Sequence, residues 1–264
     1  MFSSALLVVI TRRTYALTEA INYYFLKKIL FHLHMCNFCC TFVQKLRNMR
    51  LIAPSVLSAD FGNLRQDLEM INRSEADWLH IDVMDGVFVP NISFGFPLMK
   101  PFRQYCTKPL DVHLMIVHPE KYVERFCDAG AYSVGFHLEA VDNPLPILDL
   151  IKAKGVRTCL TINPDIDAKR LLPYLDQVDM VLLMSVFAGF GGQKFIPETM
   201  DKIRFIRKEI DRRGLKTLIE IDGGVNTTNA HALFDAGADV LVAGSAVFGA
   251  EDPEAAIREM KSEK

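Results

Sequence analysis

The stretch WLHIDVMDG, residues 78–86, alternates apolar residues with a histidine, an aspartate and a methionine. Successive side chains of a β-strand point to opposite faces, so His80, Asp82 and Met84 project together while Leu79, Ile81 and Val83 project the other way. PLDVHLM (109–115) repeats the device in a different order, with Asp111, His113 and Met115 on one face. TLIEIDGG (217–224) places Glu220 and Asp222 on a common face. Buried imidazoles and carboxylates cost on the order of several kcal/mol each when unpaired, so a fold that gathers them must also supply a partner.

Outward from these strands the chain is repetitive. Strand candidates end near Ser55, Asp82, His113, His137, Thr161, Ser185, Asp222 and Gly244, at intervals of 22 to 37 residues, which leaves room for a strand, a helix and two loops in each unit. The intervening segments carry apolar residues three and four apart: Leu64, Leu68 and Ile71; Ile147, Leu148 and Ile151; Met200, Ile203 and Ile210. Gly155, Gly214 and Gly237 stand where helix C-caps belong, and Pro253 after Asp252 suits a first helical turn. DAGA occurs at 128–131 and again at 235–238, each time leading from a helix into a strand. Eight such units admit a closed (β/α)₈ barrel or an open doubly wound sheet. LIAPSVLSADF lacks the glycine fingerprint expected after the first strand of an open dinucleotide-binding sheet. The polar candidates cluster at strand C-termini, which a barrel brings around one mouth and an open sheet strings along a line. The expected fold is therefore α/β, a (β/α)₈ TIM barrel over residues 49–264, preceded by an extension.

Residues 1–48 differ from the rest. They carry six Lys and Arg against one Glu, net +5, which leaves −7 of the total −2 to residues 49–264, and they contain no Gly or Pro. The apolar run ALLVVI is about a third of the ~20 residues a membrane span needs. Arg12 and Arg13 follow that run, the wrong order for a signal peptide. HLHMCNFCC offers His32, His34, Cys36 and Cys39 but lacks a second spaced ligand pair. The regular pattern starts at Met49, so the expectation is that 1–48 is a disordered extension or reflects an upstream start site. Six cysteines in 264 residues do not read as a disulfide framework, and Cys106, Cys127 and Cys159 fall in helices or strands as small apolar residues. A cytoplasmic setting follows, with neither nucleic acid nor membrane as partner. A homo-oligomer is also expected, since apolar residues such as Phe102 and Tyr105 on helical outer faces permit one.

The strongest cation set is His80, Asp82, His113 and Asp222, two nitrogens and two carboxylates near the ends of three strands. That mixture suits Zn²⁺, Fe²⁺, Mn²⁺ or Co²⁺ better than Ca²⁺. Beside it, strand 6 runs into GFGGQKF (189–195), strand 7 into DGGV (222–225) and strand 8 into AGSAVF (243–248). Glycines let backbone N–H groups approach a phosphate closely, and barrels of this class hold phosphate near strands 7 and 8.

IAPSVLSADF, HIDVMDGVFVPN, DVHLM, FHLEA, LLMSV with GFGGQKF, EIDGGV and AGSAVF, in this order over 51–260, closely resemble ribulose-phosphate 3-epimerase, a metal-dependent (β/α)₈ family of the pentose phosphate pathway. The resemblance does not reach residues 1–48. It implies one divalent ion on His80, Asp82, His113 and Asp222, with Asp82 and Asp222 also as the acid–base pair. It further implies substrate contacts at Ser55, His113, Gly189, Phe190, Gly191, Gly192, Gly223, Gly224, Gly244 and Ser245. Met84, Met115 and Met184 are expected to line the reacting face. The implied reaction is epimerisation at carbon 3 of D-ribulose 5-phosphate to D-xylulose 5-phosphate through a cis-enediolate. At Phe187 and Ala188 the sequence departs from a common pattern of a polar residue followed by proline.

Three other readings bear on the same residues. Decarboxylating and aldol-type relatives carry Asp-x-Lys-x-x-Asp on the comparable strand, whereas here the pattern is His80-x-Asp82-x-x-Asp85, without the lysine. A six-carbon ketose phosphate such as allulose 6-phosphate would use the same mechanism in a roomier pocket. A noncatalytic sugar-phosphate-binding barrel predicts loss of an acid–base carboxylate, yet both are present.

Overall fold

The computed structural model describes residues 49–262. The expectations for residues 1–48, including the His32, His34, Cys36 and Cys39 set, lie outside the described residues.

Eight strands form one parallel sheet: β1 Leu51–Pro54, β2 Leu79–Met84, β3 Leu110–Met115, β4 Ser133–His137, β5 Arg157–Ile162, β6 Met180–Met184, β7 Leu218–Asp222 and β8 Val240–Ala243. Each pairs with its sequence neighbour from β2 to β8, and β8 pairs with β1. Between β1 and β2 the ring is closed by a parallel bridge from Ser55 to His80 and by the Asp77 N–H donating to the Ile52 carbonyl at 2.8 Å. The α-helices are α1 Leu64–Arg73, α2 Phe96–Tyr105, α3 Val123–Asp128, α4 Leu145–Ala153, α5 Thr199–Arg213, α6 Ala230–Ala236, α7 Ser245–Phe248 and α8 Pro253–Lys261. None of the described helices is long and apolar enough to cross a membrane.

The punctuation follows the residue chemistry. Gly214 and Gly237 cap α5 and α6 in the left-handed conformation. Asp252 accepts a hydrogen bond from the Ala255 N–H, with Pro253 at the first helical position of α8. One expected helix is absent: β5 and β6 are joined through a short 3₁₀ turn at Ala168–Leu171. Pro164 and Pro173 flank that turn, and a proline inside a longer helix would remove a backbone donor and clash with the preceding turn. Lys202 of α5 fastens the connection by donating to the Ile166 carbonyl at 2.6 Å.

Two apolar zones result from the alternation. Ile81, Val112, Leu114, Phe136, Leu183, Ile219 and Ile221 face outward and pack under Leu68, Ile71, Ile147, Ile203 and Ile210 of the helices. Each such side chain contributes about 1.5–3 kcal/mol of burial free energy. Ala53, Cys159, Met180, Leu182, Val240 and Val242 fill the barrel interior. Phe102 corrects the sequence reading: it is fully buried in the outer zone and offers no surface for an oligomer. The face of α2 that carries it turns inward. Cys106, Cys127 and Cys159 are free and buried, as expected of small apolar residues.

Candidate active site

Strands β2 and β3 lie in a register that pairs His80 with Asp111, Asp82 with His113 and Met84 with Met115. The three inward-facing residues of one strand thus meet their counterparts on the other, layer by layer. Strand β7 adds Asp222, in register with Met184 of β6. Ligand atoms of His80, Asp82, His113 and Asp222 all lie within 4.8 Å of one another.

Neighbours fix the orientation of each group. His80 donates its Nδ1–H to Asp111 Oδ2 at 2.6 Å, and Asp111 also accepts from the Ser133 hydroxyl. His80 Nε2 therefore points at Asp82 Oδ1 (3.3 Å) and Asp222 Oδ2 (4.0 Å). His113 Nδ1 stands 3.3 Å from Asp82 Oδ1 and 3.9 Å from Asp222 Oδ2. Ser55 donates its hydroxyl to the other oxygen of Asp82 at 2.5 Å.

This geometry passes the test of fit for a cation. His80 Nε2, Asp82 Oδ1 and His113 Nδ1 are buried and have no hydrogen-bond partner among the described residues, although all three face one centre. Buried polar atoms are rarely left in that state, and two nitrogens with two carboxylates form a donor set for a borderline divalent ion. A second cluster, His80, Asp111 and Glu220, lies one layer deeper. There His80 Nδ1 is already committed to Asp111. Burial and then the Asp111 charge push the Glu220 carboxyl well above its usual range, which disfavours its charged form as a cation ligand.

Without an ion the two central carboxylates differ. Burial and then the charge of Asp82 push Asp222 up to about 7. Burial alone would raise Asp82 as well, but His80 and His113 reverse this and hold it far below the usual carboxylate range. Burial presses His113 down to about 4, which leaves it a neutral imidazole. For His80 burial acts the same way, yet the Asp82 and Asp111 carboxylates override it and push the ring well up.

Next to this centre one cavity is lined by Ser55, Asp82 and Asp222 together with Met84, Met115 and Met184. The glycine loops complete its wall: Gly189, Phe190, Gly191 and Gly192 after β6, Gly223 and Gly224 after β7, and Gly244 and Ser245 after β8. His80 and His113 are not among the lining residues and reach the site through their ring nitrogens. Gly224 has φ 64°, and a Cβ there would lie 2.3 Å from the Phe195 nitrogen, so only glycine fits. The loop after β6 is tied down by Gln193, which donates to the Phe187 and Phe190 carbonyls, and by Asn91, which donates to the Gly189 carbonyl at 2.7 Å.

Sequence reasoning passed over several participants. Asp111 and Glu220 share the inward faces of β3 and β7 with the candidate ligands, so strand alternation already marked them. Leu57, Ser58, Val186, Gln193 and Val225 also line the cavity. His137 stands behind His113, at the end of β4. Asn163, which accepts from the Ala188 N–H at 3.2 Å, sits in a loop that no periodicity singles out.

Residues 51–248 match the ribulose-phosphate 3 epimerase family. The chain is 45% identical over 214 residues to the ribulose-phosphate 3-epimerase of Escherichia coli K12, covering 81% of this chain and 95% of that protein. It is 44% identical over 214 residues to the enzyme of the same name from Bacillus subtilis, covering 81% and 99%. The corresponding protein of Mycobacterium bovis is 44% identical over 211 residues, covering 80% and 91%. Among solved structures, 3-hexulose-6-phosphate synthase from Salmonella typhimurium superposes with a TM-score of 0.58 at 17% identity, over 80% of this chain and 96% of that one. A tryptophan synthase α-subunit from Pyrococcus furiosus gives 0.58 at 17% identity, over 81% and 97%. At that identity the two structures speak for the barrel alone.

Proposed function

The chain belongs to the ribulose-phosphate 3-epimerase family, and from that premise we propose that it inverts carbon 3 of D-ribulose 5-phosphate by a two-aspartate mechanism at the centre described above. The observation that carries this reading is the convergence of four donor atoms, three of them buried and unpartnered, beside a cavity walled by three glycine loops.

Asp82 and Asp222 have pKa values driven apart in the manner that separates a base from an acid. Asp82, ionised and oriented by the Ser55 hydroxyl, takes the proton as the C3–H bond breaks. The electron pair left behind is shared with the neighbouring carbonyl as a cis-enediolate. Asp222, carrying a proton, returns it to the opposite face of C3, and the new C–H bond completes D-xylulose 5-phosphate. In the reverse direction the two carboxyl groups exchange roles. Met84, Met115 and Met184 offer an apolar surface that keeps water from the intermediate. Backbone N–H groups of the Gly189–Gly192, Gly223–Gly224 and Gly244–Ser245 segments are the phosphate-holding elements in this reading.

A divalent ion would be held by His80 Nε2, Asp82 Oδ1, His113 Nδ1 and Asp222 Oδ2, with Zn²⁺, Fe²⁺, Mn²⁺ and Co²⁺ as the matching class. When bound it supplies Lewis-acid stabilisation of the negative charge on the substrate oxygens.

Asp82→Asn and Asp222→Asn are each expected to lower kcat by about 10²–10⁴-fold while inorganic phosphate still binds. Turnover of D-ribulose 5-phosphate by either variant at near the parental rate would refute the assigned roles. Assays with D-ribulose 5-phosphate and D-allulose 6-phosphate side by side decide the length of the sugar. Faster turnover of the six-carbon substrate would replace the five-carbon reading.

A further inference from the structure

His113 Nε2, the ring nitrogen turned away from the centre, lies 2.9 Å from His137 Nε2. Two imidazole nitrogens at that distance require one to donate and the other to accept. Two arrangements are open to these groups. With the proton on His113 Nδ1, towards Asp82 Oδ1 at 3.3 Å, His137 Nε2 donates and His137 Nδ1 accepts from the Asn163 amide nitrogen 3.4 Å away. With an ion on His113 Nδ1 that nitrogen gives up its proton, His113 Nε2–H donates to His137 Nε2, and His137 Nδ1–H faces Glu139 Oε1 at 3.5 Å, a carboxylate oxygen that only accepts.

Glu139 is itself fixed. Its Oε1 accepts from both the backbone N–H (2.9 Å) and the side-chain amide (3.0 Å) of Asn163. The remaining amide oxygen of Asn163 accepts from the Ala188 N–H at 3.2 Å, at the base of the Gly189–Gly192 loop. Proline at 188 would have no such donor. One hydrogen-bonded chain thus runs from a candidate cation ligand to the loop that walls the substrate cavity.

We propose that His137, Glu139 and Asn163 are positioning residues that support the ion-binding tautomer of His113 and couple it, through Ala188, to the placement of the Gly189–Gly192 loop. The inference rests on the reading of His113 as a ligand of a divalent ion. It assigns none of the three a contact with substrate.

Three measurements on the full chain test it. Nitrogen-15 NMR of the Zn²⁺-loaded parental protein, labelled at histidine, is expected to show His137 protonated at Nδ1 and bare at Nε2, its signals assigned by their loss in His137→Gln. The opposite tautomer overturns the inference, and no destabilising variant is needed to see it. Mn²⁺ titration is expected to show affinity falling about 10- to 100-fold in His137→Phe, with most of it recovered in His137→Gln, whose amide oxygen can accept from His113. Equal affinity in His137→Phe and the parental chain overturns the inference but leaves the proposed centre standing. A parental chain that binds no Mn²⁺ removes both. Asn163→Ala is expected to raise the dissociation constant for inorganic phosphate about threefold or more, the equivalent of one lost hydrogen bond, and to weaken Mn²⁺ binding in the same variant. Unchanged phosphate binding overturns the coupling to the loop.

Discussion

At the scale of single residues, the site is governed by how burial and neighbouring charge act on four ionisable side chains. Asp82 and Asp222 carry the same carboxyl group, yet Asp82, 3.3 Å from both imidazoles, is held ionised by them, whereas Asp222, 3.9 to 4.0 Å away, is pushed up to about 7 by burial and by Asp82 itself. A cation on Asp222 Oδ2 disfavours, without excluding, a proton on the other oxygen of that carboxyl, and it competes with the proton that the surrounding carboxylates favour on His80. Both protons leave more readily as pH rises, so the sign is fixed: affinity for Mn²⁺ should increase as pH is raised through about 7 and weaken below it. Calorimetric titration of the ion-free protein at about pH 6 and about pH 8 measures the difference. Stronger binding at the lower pH would contradict the electrostatic account.

At the scale of elements, the two ends of the strands do different work. The C-terminal ends carry the polar groups of the site, whereas the N-terminal ends carry an aspartate clamp used three times. Asp77, ahead of β2, accepts from the Ile52 N–H of β1 at 2.9 Å. Asp179, ahead of β6, accepts from the Thr158 N–H and hydroxyl of β5 at 2.9 and 3.0 Å. Asp239, ahead of β8, accepts from the Ile219 N–H of β7 at 2.8 Å. Each clamp pins the start of a strand to its neighbour and satisfies a backbone donor that would otherwise be buried unpaired. Asp179→Ala is accordingly expected to cost about 1–3 kcal/mol of stability in urea unfolding while leaving KM unaltered, because the lesion lies at the end of the barrel away from the cavity. A loss of catalysis without a loss of stability would be inconsistent with this role.

At the scale of the whole molecule, closure is the decisive feature. Residues 49–262 form one compact unit, with the ring completed at the β1–β2 seam by Asp77, Ile52, Ser55 and His80. We therefore expect a chain starting at Met49 to keep epimerase activity within about twofold of the full chain and a similar thermal midpoint, since the barrel's backbone pairing is complete among its own strands. A truncated protein that is inactive or unfolded would show that residues 1–48 matter. The eight strands, the inward face of His80, Asp82 and Met84, and the glycine loops were legible in the sequence because each is a local property: a period of two, a period near 3.6, or a residue that only a tight turn requires. Phe102 misled because helical spacing does not say which side of a short helix meets the sheet. The missing helix between β5 and β6 was misread because repetition was weighed above Pro164 and Pro173. Strand alternation thus determined which side chains face inward, and the strand order around the ring determined which of them meet. The distances among His80, Asp82, His113 and Asp222, the deeper layer of Asp111 and Glu220, and the line from His113 to Ala188 were decided by the tertiary structure alone. They join segments 24 to 142 residues apart, and only ring closure and inter-strand register bring such segments within hydrogen-bonding reach.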